Sequence, residues 1–226
     1  MPDLVIPVVF PDYLIAVNTP KKSFEIPDLI PGVDLLPDRV VIPETRNKVP
    51  ELGHAGVLFI DGAKGTTKYY EYGRYAPGGI VRKLTIRNVQ ISAGGHPTKA
   101  SLSYTLSQIS AKAGQNGRIS GAYIEVPGKY QAMLAYATRR QRENSNPARK
   151  PYDLFSNSCN HFMKGVMEAA AVNLPGMIDP RPNSYIEEIR DLHRDLDYTK
   201  SSNHLQVENP PESLAWARGI SQPAAA

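Results

Sequence analysis

The sequence predicts an α+β domain: a small antiparallel sheet with helices packed beside it. Three observations lead there. Two strand-like runs, His54–Asp61 and Thr67–Arg74, flank Gly62-Ala63-Lys64-Gly65, which is a hairpin signal. Two further runs, Ile80–Ile91 and Ile119–Val126, have the apolar content of strands. Between and after them, apolar residues recur at helical spacing in four segments.

In chain order, Ile80–Ile91 carries Val81, Leu84, Ile86, Val89 and Ile91 and predicts a third strand with an irregularity midway. Pro97–Ala113 predicts a helix with Leu102, Leu106 and Ile109 inward. Ile119–Val126 predicts a fourth strand, ended by Pro127-Gly128. Lys129–Asn144 predicts a second helix, with Tyr130, Met133, Leu134 and Ala137 on one face and Arg139, Arg140 and Arg142 on a solvated one. A third helix is expected over Asn160–Val172 and a fourth over Ser184–Leu196.

Prolines punctuate the ends. Of twenty in the chain, nine (from Pro2 to Pro50) fall in the first fifty residues. Proline fixes φ and removes a donor, so residues 1–50 are expected to be extended segments and turns wrapped on the core rather than a sheet of their own. Residues 51–197 are then expected to form the main folded domain, and 198–226 an extended tail with Pro210-Pro211.

Composition limits the functions on offer. The chain has 226 residues, 41% hydrophobic and 21% charged, enough for one sizeable core. Its formal charge of +4 comes from scattered Lys and Arg, without the aromatic interleaving of a nucleic-acid groove. A single cysteine excludes an internal disulfide framework and a Cys-rich zinc site, so no cofactor or metal is expected. Met1-Pro2-Asp3-Leu4 lacks a basic n-region and prolines interrupt Leu4–Val17, so no signal peptide is expected. No apolar run is long enough to cross a bilayer. Synthesis in the cytoplasm is expected, with export, if any, by a route other than general secretion.

The single cysteine, Cys159, lies in Ser156-Asn157-Ser158-Cys159-Asn160-His161-Phe162, where a polar stretch gives way to a helix. Unpaired N–H groups and the macrodipole at a helix start favour thiolate over thiol. A free cysteine is otherwise a small buried core residue. A nucleophilic thiol needs a base, and five histidines are present. His96, His193 and His204 sit in turns or polar regions, and His161 is too close along the same helix to face the thiol. His54 remains, opening a strand as Gly53-His54-Ala55-Gly56. If Asp61 and Thr66 close the hairpin turn, Gly56 faces Glu71, and His54, Tyr69, Glu71 and Gly73 share a face. Glu71 is then placed to orient His54. A one-residue slip would substitute Tyr70 or Tyr72, and the rival carboxylate, Asp61, lies on the opposite face. Backbone N–H of Cys159 is the natural oxyanion donor, with Asn157 and Ser158 as candidates for a second. Tyr69, Tyr70, Tyr72 and Tyr75 either line a substrate groove or pack across strands.

Asn157-Ser158-Cys159-Asn160-His161-Phe162 resembles the Asn-Cys-x-His-Phe signature of permuted papain-like proteins, which include lecithin-retinol-acyltransferase-like proteins and permuted NlpC/P60 hydrolases. Gly53-His54-Ala55-Gly56 resembles their histidine motif. The acyltransferase branch often carries a second histidine on the next strand, where this chain has Glu71, and this argues against lipid chemistry. Roughly residues 50 to 190 are similar to type VI secretion effectors of the TseH kind. That resemblance implies an antibacterial effector carried by the type VI system into a competitor's periplasm. There it would be a cysteine peptidase or amidase with Cys159, His54 and Glu71 as catalytic residues, acting on peptidoglycan stem peptides. It also implies an immunity protein and a secretion-system carrier as partners. The alternatives are an acyltransferase or lipid hydrolase, a cytosolic isopeptidase, and a non-catalytic binding module of the same fold.

Overall fold

In the computed structural model, the described residues are 1–16 and 52–208, together with the backbone of short strands at 22–25, 39–42 and 48–49. The strands are β1 (Leu4–Phe10), β2 (Ile15–Ala16), β3 (Lys22–Glu25), β4 (Arg39–Ile42), β5 (Lys48–Val49), β6 (His54–Ile60), β7 (Thr67–Gly73), β8 (Ile80–Leu84), β9 (Ile119–Glu125), β10 (Arg194–Thr199) and β11 (His204–Glu208). The helices are α1 (Lys99–Ala113), α2 (Tyr130–Arg142), α3 (Cys159–Ala169) and α4 (Pro182–Arg190). A seven-stranded antiparallel sheet runs β11-β10-β9-β1-β6-β7-β8, while β2 pairs β5 and β3 pairs β4 in two separate ribbons.

The α+β expectation holds, and the sheet is larger than expected, with helices on both faces. Alternation along the strands separates two cores. Val5, Val9, Val57, Phe59, Tyr70 and Tyr72 face α2, α3 and α4, packing with Met133, Phe162, Met163, Val166 and Ile186. Leu4, Ile6, Val8, Leu58, Ile60 and Tyr69 face α1, packing with Leu102, Leu106 and Ile109. At ~25 cal/mol per Å² of apolar surface, strands buried on both faces dominate the stability.

The largest departure from expectation is β1. Instead of wrapping on the core, Leu4–Phe10 lies in the middle of the sheet, between β6 and β9. Pro7 explains the misreading, since proline in a run argues against a central strand. Here the ladder to β9 pairs Leu4, Val5, Val8 and Val9 and skips Ile6 and Pro7, so the missing donor falls in a gap. Asp3 secures the entry to β1. Its carboxylate accepts from the Gly62 N–H (2.9 Å) and from the Tyr130 N–H at the start of α2 (2.8 Å).

Other boundaries move as well. The third strand stops at Leu84, and Ile91 makes only an isolated bridge with Pro97. The last helix ends at Arg190, and the chain then forms the β10–β11 hairpin, which joins the edge of the sheet. The sheet therefore draws strands from outside the expected 51–197 unit at both ends. Pro210-Pro211 and the rest of the expected tail beyond 208 lie outside the described residues.

Candidate active site

The β6–β7 hairpin carries half of the site. Its turn closes with the Asp61 N–H donating to the Thr66 carbonyl (2.9 Å), and Gly56 pairs with Glu71, the register expected from the sequence. Two glycines permit this arrangement. Gly53 adopts φ +70°, the left-handed region, and a Cβ there would strike the Asn183 side chain. A Cβ on Gly56 would occupy the space of the Tyr69 hydroxyl. The glycines flanking the histidine thus admit neighbouring side chains.

His54 Nε2 lies 2.9 Å from Glu71 Oε2. Glu71 is fully buried, where an isolated carboxylate would be costly. It is compensated by the Tyr69 hydroxyl donating to Oε2 (3.2 Å) and by Arg82 Nε donating to Oε1. Arg82 stands directly opposite Glu71 on β8, and its guanidinium lies 3.8 Å from the Tyr75 ring centroid. The Tyr75 hydroxyl is 2.9 Å from His54 Nε2 and also hydrogen-bonds Glu71, so carboxylate and phenol share one edge of the imidazole. The rings of Phe10 and Tyr13 confine the imidazole further, at 6.2 and 5.0 Å.

The other half is the segment leading into α3. Ser158 is the N-cap and Cys159 the first helical residue; the Ser158 N–H donates to His161 Nδ1 (3.3 Å), completing a capping box in which His161 takes the third position. Upstream, the Asp153 carboxylate accepts from the N–H groups of Phe155 (3.1 Å) and Ser156 (2.9 Å), folding the loop back on itself. Asn157 is fully engaged. Its amide donates to the Lys150 and Pro151 carbonyls (both 2.9 Å) and the Tyr72 hydroxyl (3.2 Å), and its oxygen accepts from Arg140 (3.0 Å).

Strand alternation places His54, Tyr69 and Glu71 with the α1 face, whereas α3 packs on the opposite one. Thiol and imidazole meet at the start of β6, where His54 and the Ala55 N–H both favour the Cys159 thiolate. With Nε2 facing Glu71, Nδ1 is the nitrogen left for sulfur. Burial alone would neutralise this pair, pulling the imidazole down and the thiol up. Their mutual hydrogen bond and charge, with Glu71 behind, outweigh it: His54 is pushed up to about 9 and Cys159 is held below the ordinary thiol range. Glu71 is lowered despite its burial because His54 and Arg82 favour the carboxylate. All three shifts lean the same way, toward thiolate, imidazolium and carboxylate in a row.

Of the residues singled out from sequence, Cys159, His54 and Glu71 come together. Asn157 and Ser158 adjoin the thiol, but their side chains are committed to the loop and the helix cap. Tyr69 is fully buried behind Glu71 rather than on a substrate surface, and Tyr70 and Tyr72 pack in the core. Arg140 is not simply solvated: it binds Asn157 and Glu143 and lies 5.5 Å from the Tyr72 ring. Away from the thiol, His96 approaches Glu125 (3.6 Å) and His193 the Asn173 carbonyl (3.2 Å). Among the described residues no group of acidic, histidine or cysteine side chains is arranged to hold a metal.

Sequence reasoning missed Tyr152 and Arg82. The Tyr152 hydroxyl lies 3.8 Å from Cys159 Sγ and accepts the Cys159 backbone N–H. Tyr152 and Tyr75 both line a cleft of about 490 Å³ with Arg74, Ala76, Pro77, Gly78 and Gly79. Arg82 had a readable signal, the opposite-charge pairing across β7 and β8. Tyr152, in an irregular loop, had none.

The chain matches the family described as type VI secretion system effector TseH-like over residues 5–174. The crystal structure of the type VI secretion system effector TseH is similar at 34% identity and a TM-score of 0.72, covering 92% of this chain and 98% of that one. No curated protein matches. The chain belongs to the TseH-like family of type VI secretion system effectors.

Proposed function

We propose that this effector is a cysteine hydrolase that cleaves an amide bond in peptidoglycan stem peptides. The observation that carries the reading is that Cys159, His54 and Glu71 are buried together, with His54 bonded to Glu71 and the thiol shifted toward thiolate, the direction nucleophilic catalysis requires. Histidine precedes cysteine in the chain, so the arrangement is the permuted form of a papain-like, NlpC/P60 type of site. His54 Nδ1 holds the thiol proton, and the Cys159 thiolate attacks the amide carbonyl. The oxyanion is received by the Tyr152 hydroxyl, which rotates its proton from sulfur toward it, and by the Cys159 N–H, which exchanges the Tyr152 oxygen for the substrate's. His54 then protonates the leaving amine, and water, deprotonated by His54, releases the acyl group from sulfur.

A lipid-acting enzyme has less support, because the cleft beside the thiol is lined by a guanidinium, tyrosines and backbone rather than an apolar wall. Among the described residues no helix is long and apolar enough to cross a membrane. The effector's partners under this reading are peptidoglycan in the target periplasm, a secretion-system carrier, and an immunity protein in the producer.

The test is mass analysis of peptidoglycan fragments after digestion with the protein and with Cys159→Ala. New amide-cleavage products are expected from the first only. In cells, the protein fused to a periplasmic export signal should cause rounding or lysis, while cytoplasmic expression and exported Cys159→Ala should not. Equal toxicity from both compartments, or toxicity without the thiol, would sink the cell-wall assignment.

A further inference from the structure

We propose that Arg74 binds a free carboxylate on a residue flanking the scissile amide, so that the preferred substrate is an anionic peptide. This rests on the peptidase reading above. The cleft lined by Arg74, Tyr75, Gly78, Gly79 and Tyr152 is joined to the site through two of its walls, the Tyr152 hydroxyl lying 3.8 Å from sulfur and the Tyr75 hydroxyl 2.9 Å from the imidazole. A peptide held at Cys159 would extend a residue flanking the scissile bond into it.

Charge selects the ligand. Among the described residues no acidic side chain lines this cleft, and Arg74 is the charged residue that does. The neighbouring guanidiniums are occupied. Arg82 is bonded to Glu71, Arg140 to Asn157 and Glu143, and Arg149 donates to the carbonyls of Pro77, Gly79, Asn144 and Asn146. Arg74 has no hydrogen bond or ion pair among the described residues; it is exposed and lies over the Tyr152 ring at 5.1 Å. Stacking uses the face of a guanidinium and leaves its N–H edge free, the edge that matches the two oxygens of a carboxylate. The glycines keep the opposite wall low: Gly79 has φ +77°, and a Cβ there would press into the Tyr152 Cβ at 2.6 Å.

The experiment compares peptides cleaved by the wild type, bearing either a carboxylate or a carboxamide at each residue flanking the scissile bond. A preference of about ten- to a hundredfold in kcat/KM for one carboxylate is expected, as for a partly desolvated charge-assisted pair. Arg74→Ala should bring the carboxylate peptide down to the rate of its carboxamide twin, and Arg74→Lys should retain part of the preference. Calorimetric binding of uncleaved peptides to Cys159→Ala should show the same discrimination, weakening as salt is raised. Equal handling of the two peptides by the wild type, or equal losses on both in Arg74→Ala, would overturn the assignment while leaving the peptidase reading intact. Cleavage of no peptide or muropeptide by the wild type would remove the peptidase reading, and this inference with it.

Discussion

The two halves of the site are built by different means. The β6–β7 hairpin holds His54 and Glu71 through strand register, with Arg82 and Tyr69 compensating the buried carboxylate. The Lys150–Ser158 loop holds Tyr152 and the thiol through side chains bonded to backbone: Asp153 to two N–H groups, Asn157 to two carbonyls, and Arg149 to the glycine turn opposite. Register fixes a side chain in quanta, since a slip of one residue moves it to the other face. Side chain–backbone bonds fix it continuously and can be loosened one at a time. His54 is thus rigidly placed, and the Tyr152 and Cys159 side is the tunable one.

The largest effects should come from removing the atoms that react. Cys159→Ala and His54→Ala are each expected to lower amide cleavage by at least about a thousandfold, measured on peptidoglycan fragments, with the circular dichroism spectrum unchanged. Tyr152→Phe should cost about a hundredfold in kcat with little change in KM, the signature of an oxyanion donor. A change in KM alone would make Tyr152 a binding residue and the loop half less like a catalytic element.

Glu71→Gln is expected to lower activity by about ten- to a hundredfold, less than loss of the thiol, because an orienting group is partly replaceable. Its pH profile is the sharper readout. In the wild type, activity should rise as the thiol ionises, below its ordinary range, and fall as His54 loses its proton at about 9. The Glu71 carboxylate helps hold that proton, so Glu71→Gln should move the falling limb to lower pH. An unmoved limb would assign the raised imidazole to Cys159 alone.

Smaller effects should separate placement from chemistry. Asn157→Ala removes a buried amide with four partners, and a loss of about 1–3 kcal/mol in denaturant unfolding is expected, together with a rate loss smaller than that of Tyr152→Phe. Ser158→Ala removes the N-cap and should cost about 1 kcal/mol. If both variants keep full activity, the loop is less tunable than its bonding implies.

The same contrast governs what could be read from sequence. Alternation and turn chemistry gave the hairpin its register, and with it the face shared by His54 and Glu71. The helix start at Cys159 was visible in its polar-to-apolar change. Tyr152 was invisible because its position depends on an Asx turn and on carbonyls distant in sequence, none of which has a period. For Tyr69 the choice between groove and packing stayed open because alternation gives a face but not its depth: β7 is covered by α1, so that face is interior. The β10–β11 hairpin was missed because Arg194–Thr199 alternates charged and apolar residues at the end of a helical pattern.

The place of β1 bears on how the molecule assembles. Its residues pair with 54–60 on one side and with 119–125 on the other. Without it, β9–β10–β11 and β6–β7–β8 are two separate ribbons. During synthesis the first strand can pair with β6 once residues 54–60 have emerged, but its other, apolar edge stays open until β9 follows. Closure of such distant pairings is slow, and the open edge of Leu4–Phe10 is sticky in the meantime. The Cys159 and His54 halves sit on α3 and β6, which pack directly on each other and are joined through β1 to the rest of the sheet. The chain should consequently fold slowly for its size, because its central strand pairs with residues far away in sequence on both sides.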